Sequence, residues 1–161
     1  MFTAKDVMAL REMSGAGMMD CKKALVECDG DMDKAMDYLR EKSLAASAKK
    51  ASRIAAEGVV SSYVSPDSKT GVIAEVNCET DFVAKTDDFK ALVDTVAKLV
   101  AEQDPQDVDA LMALDTGDGT VAEMITRAVA KIGEKITIRR FARSHVEGGM
   151  VDCYVHLGGK I

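Results

Sequence analysis

The chain has 161 residues, of which 47% are hydrophobic and 30% charged, with a net charge of −6 and a mean hydropathy of −0.04. That length bounds it to one ordinary domain or a small module plus a larger one, and that balance excludes a disordered, fibrous or membrane-embedded chain. A pI near 5.0 argues against direct nucleic-acid binding, where a basic face has to pair with phosphates, and favours protein partners.

No stretch approaches the roughly 20 apolar residues of a membrane helix, and residues 1–16 lack the basic start and apolar middle of a secretory signal. No membrane association and a cytoplasmic location are therefore expected. Cys21, Cys28, Cys78 and Cys153 form no Cys-x-x-Cys pair, and His145 and His156 lie at no metal-ligand spacing from them. Reduced, buried thiols are expected, with no metal and no cofactor. Neither histidine has a nucleophile or carboxylate at a recognisable spacing, and no glycine-rich phosphate loop occurs, so an enzyme is a poor reading.

The first fifty-odd residues have the pattern of a small helical bundle. Thr3, with Asp6 three residues on, caps a first helix that runs through Val7 and Leu10 to the breakers at Ser14–Gly17. Cys21, Ala24, Leu25 and Cys28 follow the i, i+3, i+4, i+7 rule, with Gly30 where a C-terminal cap belongs. Asp31 is placed to cap a third helix with the stripe Met32, Ala35, Met36 and Leu39. Three short stripes can be buried only against one another. A unit of about 40 residues leaves some surface apolar, so it suits docking better than catalysis. Met18 extends the second stripe, whereas Met19 falls off it and faces outward, either as an incidental exposed residue or as a flexible thioether for a protein contact.

Ser43 to Glu57 is rich in Ala, Ser and Lys and has the pattern of a helical linker. Its basic cluster of Lys49, Lys50 and Arg53 is expected to be a solvated helix face. Gly58–Val64 and Gly71–Asn77 are β-rich, and the turn residues Ser65 to Lys69 between them predict a hairpin. Residues 77–85 read Asn-Cys-Glu-Thr-Asp-Phe-Val-Ala-Lys, a predicted loop from strand to helix with an acid and an aromatic, Asp81 and Phe82, side by side. Phe82 either plugs the local core or projects as a binding wedge.

Thr86, Asp87 and Asp88 start a helix with the face Phe89, Leu92, Val93, Val96 and Val100. Gln103–Thr120 is predicted to be loop, with a short helical turn at Val108–Leu114. Val121, Met124, Ile125, Ala128, Val129 and Ile132 form another helix face stopped by Gly133, and Lys135–Ala142 alternates as a strand. The predicted order of the second part is ββααβ. Gly58–Val64 is also echoed at Gly149–Val155, an offset of 91 (149 minus 58), where a lone edge strand is predicted with its hairpin partner missing. That pattern suggests a fragment, or a strand gained from a partner.

Arg11 with Ser14-Gly15-Ala16-Gly17-Met18-Met19-Asp20-Cys21-Lys22-Lys23-Ala24-Leu25, and then Asn77 to Lys85, resemble the elongation factor Ts family. The likeness continues through Lys131-Ile132-Gly133-Glu134 and Arg139-Arg140-Phe141 to Tyr154-Val155-His156 and so covers essentially the whole chain. It implies an α+β fold: a three-helix ubiquitin-associated-like module (1–42), a helical linker (43–57), the N-terminal half of an α+β core with a small antiparallel sheet packed on helices (58–146), and the truncated start of a second half (147–161).

The resemblance further implies a guanine-nucleotide exchange factor for the GTPase elongation factor Tu, in which Asp81 and Phe82 enter near the partner's magnesium site. Partner contacts carry over to Arg11, Met18, Met19 and Lys22, to Ile132 and Gly133, and to His156. The likeness is to an N-terminal portion of the family's long form, so weaker binding and partial exchange are expected. It leaves a homodimer open. The competing expectation is an adaptor whose helical module and core hold a protein or peptide without changing nucleotide release.

Overall fold

Local capping chemistry starts the chain's first helix. Thr3 accepts a hydrogen bond from the Asp6 amide while the Asp6 carboxylate accepts from the Thr3 amide at 2.6 Å, a reciprocal capping box. In the computed structural model, which describes residues 2–156, helix α1 (Ala4–Ser14) then ends on Gly15, whose amide donates to the Arg11 carbonyl at 2.9 Å. Helix α2 (Met18–Glu27) and helix α3 (Met32–Lys50) follow, the latter capped by the Asp31 side chain on the Lys34 amide.

Val7, Leu10, Cys21, Ala24, Leu25, Ala35 and Leu39 form the shared core of these helices, with Met32, Met36 and Tyr38 packed at its margin. Each fully buried leucine contributes about 1.5–3 kcal/mol, so this small core rests on Leu10, Leu25 and Leu39. Helix α3 runs without interruption past residue 42, where the sequence reading divides the module from a linker.

Residues up to Ser52 form one compact unit together with Glu123–Glu134, which is most of helix α7 (Val121–Ile132). Along α7, Val121, Ile125 and Val129 are buried at four-residue spacing. The Arg40 guanidinium pairs with Glu123 within this helical unit. Gly133 takes a left-handed conformation with φ 88°, and its amide donates to the Val129 carbonyl, which ends the helix.

The second unit holds Arg53–Ala122 and the chain from Lys135 onward. Its antiparallel sheet has the order β1 (Glu57–Val64), β2 (Thr70–Cys78), β3 (Thr137–His145). The β1–β2 turn is held by the Ser65 hydroxyl accepting from the Thr70 amide at 2.9 Å and by the Asp67 carboxylate accepting from the Lys69 amide at 3.0 Å. A side chain at Gly58 would collide with the Val76 carbonyl at 2.3 Å, so the close approach of β1 to β2 requires glycine there.

Helix α5 (Asp87–Gln103) lies against β1 and β2. Its buried face, Phe89, Leu92, Val93, Val96, Ala97, Val100 and Ala101, extends the predicted stripe. Ser61 donates to Asp94 of α5 at 2.6 Å and pairs across the sheet with Ala74, so period-two alternation puts Val72, Ala74 and Val76 on the helix side. Ile73, on the other face, is 53% exposed.

Glu75 lies on that outer face yet is buried. A β-bulge explains it: Glu75 pairs with Arg140 while Val76 pairs with Ile138, leaving Arg139 extra. Both arginines then reach the one carboxylate, Arg140 Nε at 2.6 Å and Arg139 Nη1 at 3.5 Å.

The fold is the expected α+β arrangement, with seven helices and this sheet among the described residues. Three expectations change. The predicted loop after β2 contains a one-turn helix, α4 (Asp81–Ala84), because the Thr80 hydroxyl accepts from the Val83 amide and supplies a cap. The short helical turn expected at Val108–Leu114 is present as helix α6 (Val108–Ala113), capped by Asp107 and anchored by buried Leu111. Residues 149–155 form no strand: the Val151 amide donates to the Ser68 carbonyl, and among the described residues no neighbouring backbone extends that bond into a ladder. The thiols are free, but Cys153 is exposed and Cys28 half-buried, so only Cys21 and Cys78 are the buried thiols expected.

Candidate partner-binding surfaces

In the sheet unit, three consecutive residues fix the chain where it leaves β2. The Cys78 thiol donates to the Thr80 carbonyl at 3.2 Å, Glu79 bonds to two other segments, and Thr80 caps α4. Ala84 is buried and anchors the turn from below. Thr86 closes it by donating to the Val83 carbonyl at 2.7 Å and accepting from the Phe89 amide.

On this turn Phe82 is 77% exposed, which excludes the core-plug alternative. Asp81 sits beside it with its carboxylate 2.6 Å from the Lys85 ammonium, an i, i+4 pair, and the same ammonium lies 5.8 Å from the centre of the Phe82 ring. Lys85 thus holds both members of the pair. Sequence reasoning missed it, although a base four residues after an acid at a helix start was the signal available.

In the helical unit, Arg11 and Met18 line one depression of about 450 Å³, with Met8, Glu12, Lys131 and residues 15–17. Met18 is 45% exposed rather than part of the buried stripe, because it is the first residue of α2 and no earlier turn covers it. Met19 faces outward as expected, at 73% exposure. Lys22 is exposed one turn on. Ile132 is half-buried at the end of α7 and Gly133 is exposed, both directly after Lys131.

Met8 and Met13 were not singled out from the sequence, yet both are exposed on α1. Met8 lies off the Val7 and Leu10 stripe, whereas Met13, three residues after Leu10, sits in the last turn of α1 and stays exposed. His156 is exposed near the end of the described residues, with Nδ1 3.3 Å from the Tyr154 hydroxyl.

Among the described residues no cluster of three or more potential metal ligands occurs, and no helix is long and apolar enough to cross a membrane. The candidate residues lie on two exposed features: an aromatic–acid pair on a capped turn, and a depression where Met8 and Met18 stand with Arg11, Lys131 and Glu12. Both are open, apolar-bearing surfaces of the kind that suits a macromolecular contact.

A family model described as elongation factor TS matches residues 79–161, which begin at the Glu79–Phe82 turn. The chain is 57% identical to the elongation factor Ts of Clostridium perfringens strain SM101 over 163 aligned residues, covering 100% of this chain and 54% of that protein. It is 51% identical to the elongation factor Ts of Clostridium tetani over 164 residues, again with 100% and 54% coverage. The chain belongs to the elongation factor Ts family. It spans about half the length of the curated relatives it matches. The helical unit up to Ser52 lies outside the family-model match but inside both of these alignments.

Proposed function

We propose that this chain acts in translation elongation as a guanine-nucleotide exchange factor for elongation factor Tu, working in the cytoplasm. The observation that carries the reading is Phe82, 77% exposed beside Asp81 on a turn that is capped and anchored on both sides, in a chain of this family. An exchange factor changes no covalent bond. It prefers the nucleotide-free state of its partner, and by linkage nucleotide weakens its own grip by the same coupling energy.

In this mechanism the helical unit docks through Arg11, Met18, Met19 and Lys22, with Ile132 and Gly133 at the end of α7. The sheet unit supplies the disturbance. Phe82 leaves water as it enters the GTPase domain near the magnesium site, and Asp81 exchanges its Lys85 partner for polar groups there. Loss of the ion removes a charge clamp from the nucleotide phosphates, and GDP leaves faster. Burying a phenylalanine is worth about 1.5–3 kcal/mol, enough for roughly a tenfold to hundredfold effect. His156 is a further proposed contact.

The test is release of fluorescent GDP from purified elongation factor Tu, with this chain and with its Asp81→Ala, Phe82→Ala double variant. Acceleration by the wild-type chain that the variant loses supports the reading. Binding without acceleration rejects it in favour of an adaptor.

A further inference from the structure

Glu79 has no assigned role, yet its carboxylate is only 20% exposed and bonds to two segments far from it in sequence. Oε1 accepts from the Lys135 amide at 2.6 Å, and both oxygens accept from Arg53 Nη1, at 3.3 and 3.4 Å. The Lys135 ammonium donates in turn to the Arg53 carbonyl at 2.9 Å, closing a ring of three bonded segments. One of them precedes β1, one leaves β2 and one precedes β3.

We propose that Glu79 is the positioning residue of the Asp81–Phe82 turn. The proposal rests on the exchange reading above and adds to it what aims the pair. Thr80 alone separates Glu79 from Asp81, so any rotation of the backbone at Glu79 swings both Asp81 and the Phe82 ring. A carboxylate that accepts from a backbone amide and a guanidinium fixes that backbone through charge-assisted bonds. Placement matters for a wedge because misplacing a working group by about 1 Å costs on the order of a hundredfold in rate. Alanine at this position would also leave the part-buried Lys135 amide without its carboxylate acceptor.

Glutamine is the informative conservative change. Its carbonyl oxygen still accepts from the Lys135 amide, while the ion pair with Arg53 is lost.

The experiment compares the wild-type chain, Glu79→Ala and Glu79→Gln in two ways. The first is amide hydrogen exchange at Ala84, Lys85 and Thr86, whose amides bond within the turn, with Val93 and Val96 of α5 as internal controls. The second is GDP release from the partner GTPase across a range of chain concentrations. In Glu79→Ala, the turn amides are expected to exchange about tenfold faster with the α5 amides unchanged. The saturating release rate is expected to fall about tenfold, while the half-saturating concentration stays within about twofold. Glu79→Gln is expected to recover most of both.

Unchanged turn amides in Glu79→Ala would overturn the proposal, as would a raised half-saturating concentration at an unchanged saturating rate. If the α5 amides also accelerate in the alanine variant, Glu79→Gln decides: turn-amide protection and the saturating rate recovering together support the proposal, and turn amides that recover without the rate overturn it. Failure of the wild-type chain to accelerate release rejects the exchange reading alone, and the turn amides still decide whether Glu79 fixes the turn.

Discussion

The helical unit and the sheet unit both leave apolar side chains in water, with different chemistry. In the helical unit most of these are thioethers, Met8, Met13, Met18 and Met19, at 54%, 61%, 45% and 73% exposure, with Val26 and Leu44 in addition. In the sheet unit the candidate site has one aromatic ring, Phe82, on a turn held by Glu79, Thr80 and Thr86. Methionine has three rotatable side-chain bonds and adapts to a surface, whereas phenylalanine on a fixed backbone has few ways to move. One surface is suited to holding a partner over a broad area, and the other to placing a single group accurately. The contrast separates affinity from placement, and each can be broken alone.

The largest effect comes from two phenylalanines seven residues apart. Phe89 is fully buried under the sheet and Phe82 is 77% exposed. Phe89→Ala is expected to cost about 3–5 kcal/mol in chemical denaturation, enough to unfold the sheet unit, whereas Phe82→Ala is expected to change stability by less than about 0.5 kcal/mol. A similar loss for both would mean that Phe82 packs in solution, and the wedge reading would fall with it. In GDP release the order reverses for folded protein: Phe82→Ala is expected to lower the saturating rate by roughly ten- to a hundredfold.

Much of this arrangement was legible in the sequence, and the misses share a physical cause. Helices announced themselves wherever periodicity and caps agreed: Thr3 with Asp6, Asp31 before the Met32 stripe, and Thr86 before Phe89 are all realised as caps. Contacts distant in sequence were invisible. Nothing local in residues 135–140 marks Arg139 as a bulge residue that meets Glu75, or the Lys135 amide as the partner of Glu79. The repeat at Gly149–Val155 misled in the opposite sense, because a β-rich pattern becomes a strand only where another backbone takes up its hydrogen bonds. For the candidate site, type and position of Asp81 and Phe82 were readable, but the choice between core plug and wedge required the observed exposure.

The docking side of the comparison predicts a smaller effect of a different kind. The double variant Met18→Ala, Met19→Ala removes two exposed thioethers, Met18 beside Arg11 and Met19 next to it in the chain, without touching the buried Cys21, Ala24 and Leu25. The half-saturating concentration for GDP release is expected to rise about three- to tenfold, with the saturating rate unchanged. A fall in the saturating rate instead would show that the helical unit shares in the disturbance, and the division of labour would be wrong.

The mildest perturbation is acid, and it sharpens the same division. Asp6 is held below the ordinary aspartate range first by its bond from the Thr3 amide, and Asp31 by its bond from the Lys34 amide. Both carboxylates cap helices of the helical unit, at the positive ends of α1 and α3. In the sheet unit the corresponding depressed group, Asp67, serves a hairpin turn, held down first by the Ser65 hydroxyl. For a depressed carboxyl the stabilisation is complete above the ordinary aspartate value and is lost as pH falls through the lower folded value. On acidification the amides of α1 and α3 are therefore expected to lose hydrogen-exchange protection before those of β2, whose ladder contains no titrating group in its hydrogen bonds. Asp31→Asn keeps the capping oxygen and removes the titration, so α3 should fray at a lower pH in that variant than in the wild-type chain. If instead α3 loses protection at the same pH in both, its acid lability does not arise at the Asp31 cap, and the helical unit owes its ends to the buried Ala35 and Leu39 packing.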